Sequence, residues 1–561
     1  VLSGNPEQLI QTVRSSVIGR RAMVEGPFGV RPLVYADYTA SGRSLDFIEA
    51  YIREAVLPLY SNTHTEASGT GLQTSRFRSE AREIIKRCLG ATDEHALLFC
   101  GTGATAAIDK LVGVLGIRIP SSLNDAHRLD SQINLDDRPV VFVGPYEHHS
   151  NELPWRESIA DVVTISADKE GHISLGELRE QLELYSARAL KIGSFSAASN
   201  VTGILTDTAA VATLLHEHGA LSFWDFAAAA PYIEIDMGDP KDGGAYFDAI
   251  VLSTHKLVGG PGTPGILLAR KELFSNRVPV IPGGGTVSFV TPDDHRYLDD
   301  IEHREEGGTP GIVEAIRAGL VFQLKEAVGT EEICRRESAF IKRAIESWRT
   351  NSKIHILGNS DAERLSIISF VVESSVGTLH HNLVVAALND LFGIQSRGGC
   401  SCAGPYGHRL LGIETALSKE YRDQIERGCE GIKPGWVRLN FNYFIDEESF
   451  SYIVDTVHFV ANHGEELLQF YNFEPTTGLW HHRDLKASPR MSLNDISYES
   501  GVLAWPTTRQ PVFDGRLNDF LVEAETLLAD PSKLPAATTN APLSGKAEDL
   551  RWFSLPSDAK A

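Results

Sequence analysis

Cysteine is scarce in this chain. Six residues are spread over 561 positions, which excludes a disulfide framework and leaves most of them to be read as packing thiols. Long apolar runs are missing as well. None approaches the roughly 20 residues needed to cross a bilayer, and residues 1–6 have neither the basic nor the apolar region of a signal peptide, so a cytoplasmic location is the expected default. Positive charge is the third deficit: 52 Lys+Arg stand against 74 Asp+Glu, a formal net charge of -22. Without Lys/Arg blocks there is no footprint for nucleic acid or for an anionic membrane surface, and neither is expected as a partner. Internal repeats are absent too. What is present, 42% hydrophobic and 22% charged residues, is ordinary for folded protein, and the length allows two or three domains with substantial cores.

Short apolar, β-rich runs at residues 96–99, 140–143, 162–165, 192–195, 221–224, 249–252 and 266–268 alternate with amphipathic or polar stretches. Continuous apolar runs of this length predict strands buried on both faces. The expected fold class is therefore α/β, a mostly parallel sheet covered by helices, with active-site residues at strand ends. From about residue 309 the pattern changes to longer helices, 311–328 and 330–348, with strands such as 365–372 and 436–441, predicting a smaller α+β domain. The expected organisation is an N-terminal arm (1–30), a large domain (31–308), a small domain (309–464) and a C-terminal extension (465–561). The extension carries Trp480, Trp505 and an amphipathic helix with Leu517, Phe520, Leu521, Ala524, Leu527 and Leu528 on one face, suited either to packing on the core or to docking a partner. Its last part, 531–561, is rich in Pro, Ala, Ser and Thr and is expected to be poorly ordered.

Several polar groups fall at the predicted strand ends. Lys256 closes Ser253-Thr254-His255-Lys256, just before a Gly/Pro-rich turn at 259–265. A strand end fixes the amine and the glycines allow a bound group to approach closely, which suits a lysine carrying pyridoxal phosphate as a Schiff base; a solvated surface lysine is the alternative. Gly101-Thr102-Gly103-Ala104-Thr105 follows one strand and opens a helix, where free N–H groups and the helix dipole bind phosphate or where the turn is simply a cap. Pro282-Gly283-Gly284-Gly285-Thr286 is a second phosphate loop or a hinge. Asp225 could hold a pyridine nitrogen protonated, or cap a helix. In Glu147-His148-His149-Ser150-Asn151 an imidazole could stack on a ring and relay protons. Adjacent histidines on a strand point to opposite faces, so no metal site is expected from them.

Taken in order, these motifs resemble the class V aminotransferase superfamily of fold-type I pyridoxal phosphate enzymes, within it the cysteine desulfurase and selenocysteine lyase branch. The resemblance runs from about Tyr35-Ala36-Asp37 to about Tyr443 and also includes Asn62-Thr63-His64, Ser199-Asn200-Val201-Thr202-Gly203 and Gly307-Gly308-Thr309-Pro310. It implies that Lys256 carries the cofactor, Asp225 pairs with its ring nitrogen, and His148 stacks on the ring. Asn200 would contact the ring substituents. Ala104, Thr105, Ser253 and His255 would bind the phosphate, and Thr286 would reach the phosphate of a neighbouring subunit, implying a homodimer with shared active sites.

In Ser396-Arg397-Gly398-Gly399-Cys400-Ser401-Cys402-Ala403-Gly404, glycines flank two thiols beside an arginine, a setting for a mobile nucleophile. By the resemblance, Cys402 takes the substrate sulfur as an enzyme persulfide. Arg438 would clamp the substrate α-carboxylate, with Arg397 and Asn200 as further substrate contacts. The Cys-x-Cys pattern, with Leu410-Leu411-Gly412-Ile413, looks like the desulfurase domain of molybdenum cofactor sulfurases; half a zinc site and a redox-labile pair are its other readings. Two features depart from the pattern. Ala228 stands where typical desulfurases have Gln, three residues after the ring-binding Asp, and the stretch after Glu465 is too short for the C-terminal domain of cofactor sulfurases. The expected function is a cysteine desulfurase-like enzyme that takes sulfur, or selenium, from L-cysteine or a close relative to give alanine and a Cys402 persulfide, with a sulfur-acceptor protein as a candidate partner. The alternatives are a C–S β-lyase releasing pyruvate, ammonia and a thiol, and a sulfur-relay or assembly partner protein.

Overall fold

The computed structural model describes residues 6–63, 65–484, 491–506, 512–535 and 542–558. The seven apolar runs become the strands of one sheet: β1 (His95–Cys100), β2 (Val140–Val143), β3 (Asp161–Thr164), β4 (Lys191–Ser196), β5 (Leu221–Asp225), β6 (Ala249–Ser253) and β7 (Gly265–Arg270). Their spatial order is β1-β7-β6-β5-β4-β2-β3. From β3 through β6 every neighbouring pair is parallel, whereas β7 runs antiparallel to both β6 and β1. The connection explains the exception. Only residues 254–264 join β6 to β7, and a parallel crossover takes a dozen or more residues, so the chain has to turn back.

Alternate residues along these strands feed two separate cores, which is why the runs read as continuously apolar. Val141, Val143, Phe223 and Val251 pack with Ile108 and Leu111 of the helix Gly103–Val114 on one side. Val140, Phe142, Trp224 and Ile250 pack with Leu178, Leu215 and Phe322 on the other. The helix Ile312–Val328 thus lends Val321 and Phe322 to the large-sheet core although it follows that sheet in the chain.

A second sheet is built from β8 (Ile354–Ile356), β9 (Ile367–Ser374), β10 (Gly377–Thr378), β11 (Arg397–Gly399) and β12 (Trp436–Asn440), in the order β8-β9-β12-β11 with β10 added at β9. All of its pairings are antiparallel. The helices Thr330–Trp348, His381–Phe392 and Glu447–Asn462 close its core around Trp348, Phe370, Leu388 and Leu439.

The extension packs back onto this second core through Trp480, Leu517, Leu521 and Ala524, while Trp505 stays 53% exposed. The expectation of poor order from residue 531 onward is corrected for residues 542–558; of that stretch, 536–541 and 559–561 lie outside the described residues. Leu543, Leu550, Phe553 and Leu555 are buried, the Trp552 indole donates to the Ile432 carbonyl at 2.9 Å, and the Ser554 N–H donates to the Thr378 carbonyl at 2.8 Å. A polar, low-complexity composition hides such anchors, because a few apolar side chains suffice when each finds a pocket. Phe553→Ala is expected to lower stability by about 3–5 kcal/mol, read as a shift of the urea midpoint; an unchanged midpoint would contradict the packing.

Candidate active site

The carboxyl ends of the parallel strands open on one edge of the large sheet, where side chains from several loops converge. Lys256 lies in the short turn Thr254–Lys256 that follows β6, and Asp225 ends the neighbouring strand β5. The turn is tied down on both sides: the Gly42 N–H donates to the His255 carbonyl at 2.8 Å, and the Thr254 hydroxyl donates to the Pro264 carbonyl. Burial lowers the pKa of the Lys256 amine to about 8, opposed by the nearby Asp225 carboxylate. Asp225 is itself buried, which raises its pKa; the Ala227 N–H, 2.7 Å from Oδ1, and the charge of Lys256 pull the other way.

The helix Gly103–Val114 points its N-terminus at the same place. Gly103 has φ +62, and a Cβ there would lie 2.8 Å from Ser253 Oγ, so the turn accepts only glycine without strain. Next to it, the Ala104 N–H donates to Ser253 Oγ at 2.9 Å. A chain of polar contacts continues from the Thr105 hydroxyl to Ser150 Oγ at 2.6 Å and on to His148 Nδ1 at 3.0 Å. Burial lowers the His148 pKa to about 4, with Lys256 adding to the effect, so the imidazole is neutral near pH 7.

The second sheet contributes two arginines and the cysteine loop. Arg397 on β11 is paired opposite Arg438 on β12. Arg438 is buried and donates to the Asn200 carbonyl and to Asp37 Oδ1, both at 3.0 Å; Arg397 Nε donates to Asp37 Oδ2 at 3.0 Å. In the loop, Ser401 and Cys402 have φ +51 and +56, a left-handed conformation that non-glycine residues seldom adopt. Hydrogen bonds hold it there: Asn200 Nδ2 donates to the Ser401 carbonyl at 2.8 Å, the His149 N–H to the Cys402 carbonyl at 2.9 Å, and the Gly404 N–H to His149 Nε2 at 3.0 Å. The two thiols are separated by this geometry. Cys402 is exposed and lines the cavity, whereas Cys400 is half-buried against the large-sheet core.

One cavity of ≈ 220 Å³ brings together Ala104, Thr105, His148, Asn200, Asp225, Ser253, His255, Lys256, Arg397, Cys402 and Arg438. Thr286 is not part of its lining; its hydroxyl donates to the Gly283 carbonyl at 2.7 Å. His64 lies outside the described residues. Ala228 lines the cavity and offers it no polar side chain. Reading the sequence left several contributors unmarked: Thr39, Ser196 and Ser401 line the cavity, and Asp37 bridges the two arginines. Asp37 was in view within Tyr35-Ala36-Asp37, but nothing local marks one aspartate as the partner of arginines some four hundred residues away. Among the described residues no group of three or more His, Cys, Asp or Glu is placed to hold a metal ion, and no helix is long and apolar enough to cross a membrane.

The aminotransferase class-V family model matches residues 34–419, well over half of the chain. The chain belongs to this family. It is an enzyme family, and curated relatives carry names consistent with one branch of it. A probable cysteine desulfurase of Halalkalibacterium halodurans is 27% identical over 417 residues, 72% of this chain and 93% of the relative. A probable cysteine desulfurase of Staphylococcus epidermidis is 27% identical over 430 residues, 74% of this chain and 95% of the relative. The fold recurs in the solved apo structure of a cysteine desulfurase from Thermococcus onnurineus, with a TM-score of 0.61 at 23% identity, covering 76% of this chain and 94% of that one. The β12 strand bearing Arg438 lies beyond the matched residues 34–419, yet it reaches the cavity formed largely within them.

Because the Asp225 carboxylate raises the Lys256 pKa against the effect of burial, Asp225→Asn is expected to move it below about 8. The check is the pH dependence with which the amine of the protein, without added ligands, captures a small aldehyde. The midpoint should lie near pH 8 in the parent and lower in the variant, and a rise on removing the carboxylate would contradict this assignment.

Proposed function

We propose that the protein is a pyridoxal-phosphate-dependent, cysteine desulfurase-like enzyme. It takes sulfur, or selenium, from L-cysteine or a close relative and leaves alanine and a persulfide on Cys402. One observation carries this reading: the buried Lys256 amine and the exposed Cys402 thiol, from different sheets of the fold, line the same cavity as Asp225 and Arg438. The names of the curated relatives support it.

The donor set fits the cofactor. Asn200 Oδ1, Ser401 Oγ and Arg438 Nε are buried around the cavity with no hydrogen-bond partner among the described residues, as expected of groups that meet a ligand. Lys256 would hold the aldehyde carbon, Asp225 the ring nitrogen and His148 the ring face. Ala104, Thr105, Ser253 and His255 would hold the phosphate at the helix N-terminus, with Thr286 serving the partner subunit of a homodimer. When bound, pyridoxal phosphate supplies an electron sink for negative charge at the substrate Cα.

The chain's own groups then have distinct tasks. Arg438 binds the substrate α-carboxylate through its guanidinium, and burial strengthens that contact by excluding water. A Lys256 pKa of about 8 leaves a usable fraction of free amine near neutral pH, so it can take the proton from Cα and return one. His148, kept neutral by burial, would hold the ring face without adding a positive charge to the cavity. The Cys402 thiolate attacks the substrate sulfur. A bond forms between Cys402 Sγ and that sulfur, the Cβ–S bond breaks, and its electron pair goes to Cβ, which is protonated to give alanine. The persulfide sulfur then passes to an acceptor, which could be a protein.

A β-elimination reading draws on Ala228, which leaves one side of the cavity without the hydrogen bond typical of desulfurases. Elimination would use Lys256 in the same way but would not need Cys402. With L-cysteine as substrate, the expected products are alanine and a gain of one sulfur atom on the peptide containing Cys402, read by amino-acid analysis and mass spectrometry. Lys256→Ala should lose turnover and the visible absorption band of the bound cofactor. Cys402→Ser should keep the band and lose alanine formation by roughly 10³-fold or more, the scale of removing a nucleophile. Undiminished alanine from Cys402→Ser would sink the persulfide route, and pyruvate with ammonia in place of alanine would establish elimination.

A further inference from the structure

Four arginines, Arg14, Arg20, Arg21 and Arg43, line another cavity, of ≈ 300 Å³, that shares no lining residue with the catalytic one. Of the four only Arg43 falls within the matched residues 34–419. Arg14 comes from the N-terminal helix Pro6–Ser16 and Arg20 and Arg21 from the turn after it, while residues 32–38, 442–449 and 513–517 supply most of the other walls. The arginines are of two kinds. Arg20 lies 2.9 Å from Asp446 Oδ2 and Arg21 3.3 Å from Asp514 Oδ1. Arg14 and Arg43 have no carboxylate within ion-pair distance among the described residues: Arg14 donates to the Phe444 and Ile445 carbonyls, and Arg43 to the Ile18 carbonyl at 2.7 Å. The third carboxylate of the lining, Glu448, accepts the Leu517 N–H at 3.0 Å. Tyr35 and Tyr38 also line the cavity, and burial raises both phenol pKa values, so they carry no charge near pH 7. The lining therefore holds one positive charge in excess, in a chain whose net charge is -22.

Arg43 is held in place from several directions. Its guanidinium lies over the Tyr35 ring, 5.3 Å from the centroid. Gly19, at φ +80, leaves it room, since a Cβ there would lie 2.7 Å from Nη2. Its carbonyl accepts the Gly259 N–H at 2.7 Å. Tyr38, Phe444 and Phe513 add aromatic wall to the same space. A concave, largely aromatic surface with a few converging polar groups is the usual form of a small-molecule site.

We propose that this cavity is a second ligand site, for a small organic monoanion whose carboxylate meets Arg14 and Arg43 and whose aromatic or branched body packs on Tyr38, Phe444 and Phe513. Each of the two guanidiniums keeps N–H donors that its carbonyl contacts do not use. A carboxylate there gains charge-assisted hydrogen bonds that a neutral ligand lacks. A dianion brings more negative charge than the lining offsets, and a cation meets charge of its own sign.

The test is isothermal titration calorimetry of the holoenzyme, freed of excess pyridoxal phosphate, with benzoate and with its neutral isostere benzamide. Benzoate is expected to bind at least about tenfold more tightly than benzamide. Arg14→Gln and Arg43→Gln should each weaken benzoate binding by about tenfold or more. Asp446→Asn, which releases Arg20, should tighten it by about threefold, a direction that damage to the cavity would not produce. Arg397→Gln, in the catalytic cavity, should leave it within about twofold of the parent, as expected of an independent site. Equal affinity for benzoate and benzamide, no benzoate binding at about 10 mM, or loss of binding in Arg397→Gln overturns the proposal. Should an arginine variant fail to fold, Asp446→Asn decides it, and an unchanged or weaker affinity there overturns it.

Discussion

Burying the Lys256 amine is the constraint on which the rest of the site depends. An ammonium removed from water loses hydration that few protein contacts replace, and it responds by giving up its proton more readily. The sheet makes the burial tolerable by ending a second strand in Asp225, whose charge limits how far the amine is depressed. The same burial acts on His148, which is held neutral, and on Asp225, which is pushed upward. Burial at one edge of a parallel sheet thus shifts three protonation equilibria at once.

Reactivity is divided between two scaffolds. The large sheet holds the lysine, the aspartate and the helix N-terminus; the second sheet brings the arginines and the thiol. Between them runs the segment around Asp37, paired with the strand Ile394–Gln395 and hydrogen-bonded to arginines on two strands of the second sheet. The cysteine loop is likewise held from outside itself, by Asn200 and His149, which follow strands of the large sheet. Two consecutive left-handed residues cost free energy, of order 1–3 kcal/mol each, and they persist because these contacts determine where the loop lies.

Much of this was legible beforehand. Strands buried on both faces leave continuous apolar runs, and all seven appear in the large sheet. Short motifs at the ends of those runs offered Lys256, Asp225, His148 and the Gly103 turn as candidates, each with a plain structural alternative, and the family resemblance added Asn200 and Cys402. Three things were not legible. The reversed direction of β7 follows from the short connection before it, which is a matter of reach rather than hydropathy. The packing of residues 542–558 depends on isolated apolar anchors whose pockets belong to distant segments. Asp37 acquires meaning only from two arginines that strand register places face to face.

The sequence by itself determined the α/β class, the positions of the buried strands, and the identity of the groups at their ends, since hydrophobic periodicity and local turn chemistry are written in neighbouring residues. Tertiary structure alone decided which of those groups share a cavity, that Cys402 rather than Cys400 opens into it, that Thr286 is not part of its lining, and that Asp37 sits between the two arginines. The physical reason is that charge interactions, burial and access depend on distances through space, and those distances arise only when segments far apart in the chain pack together.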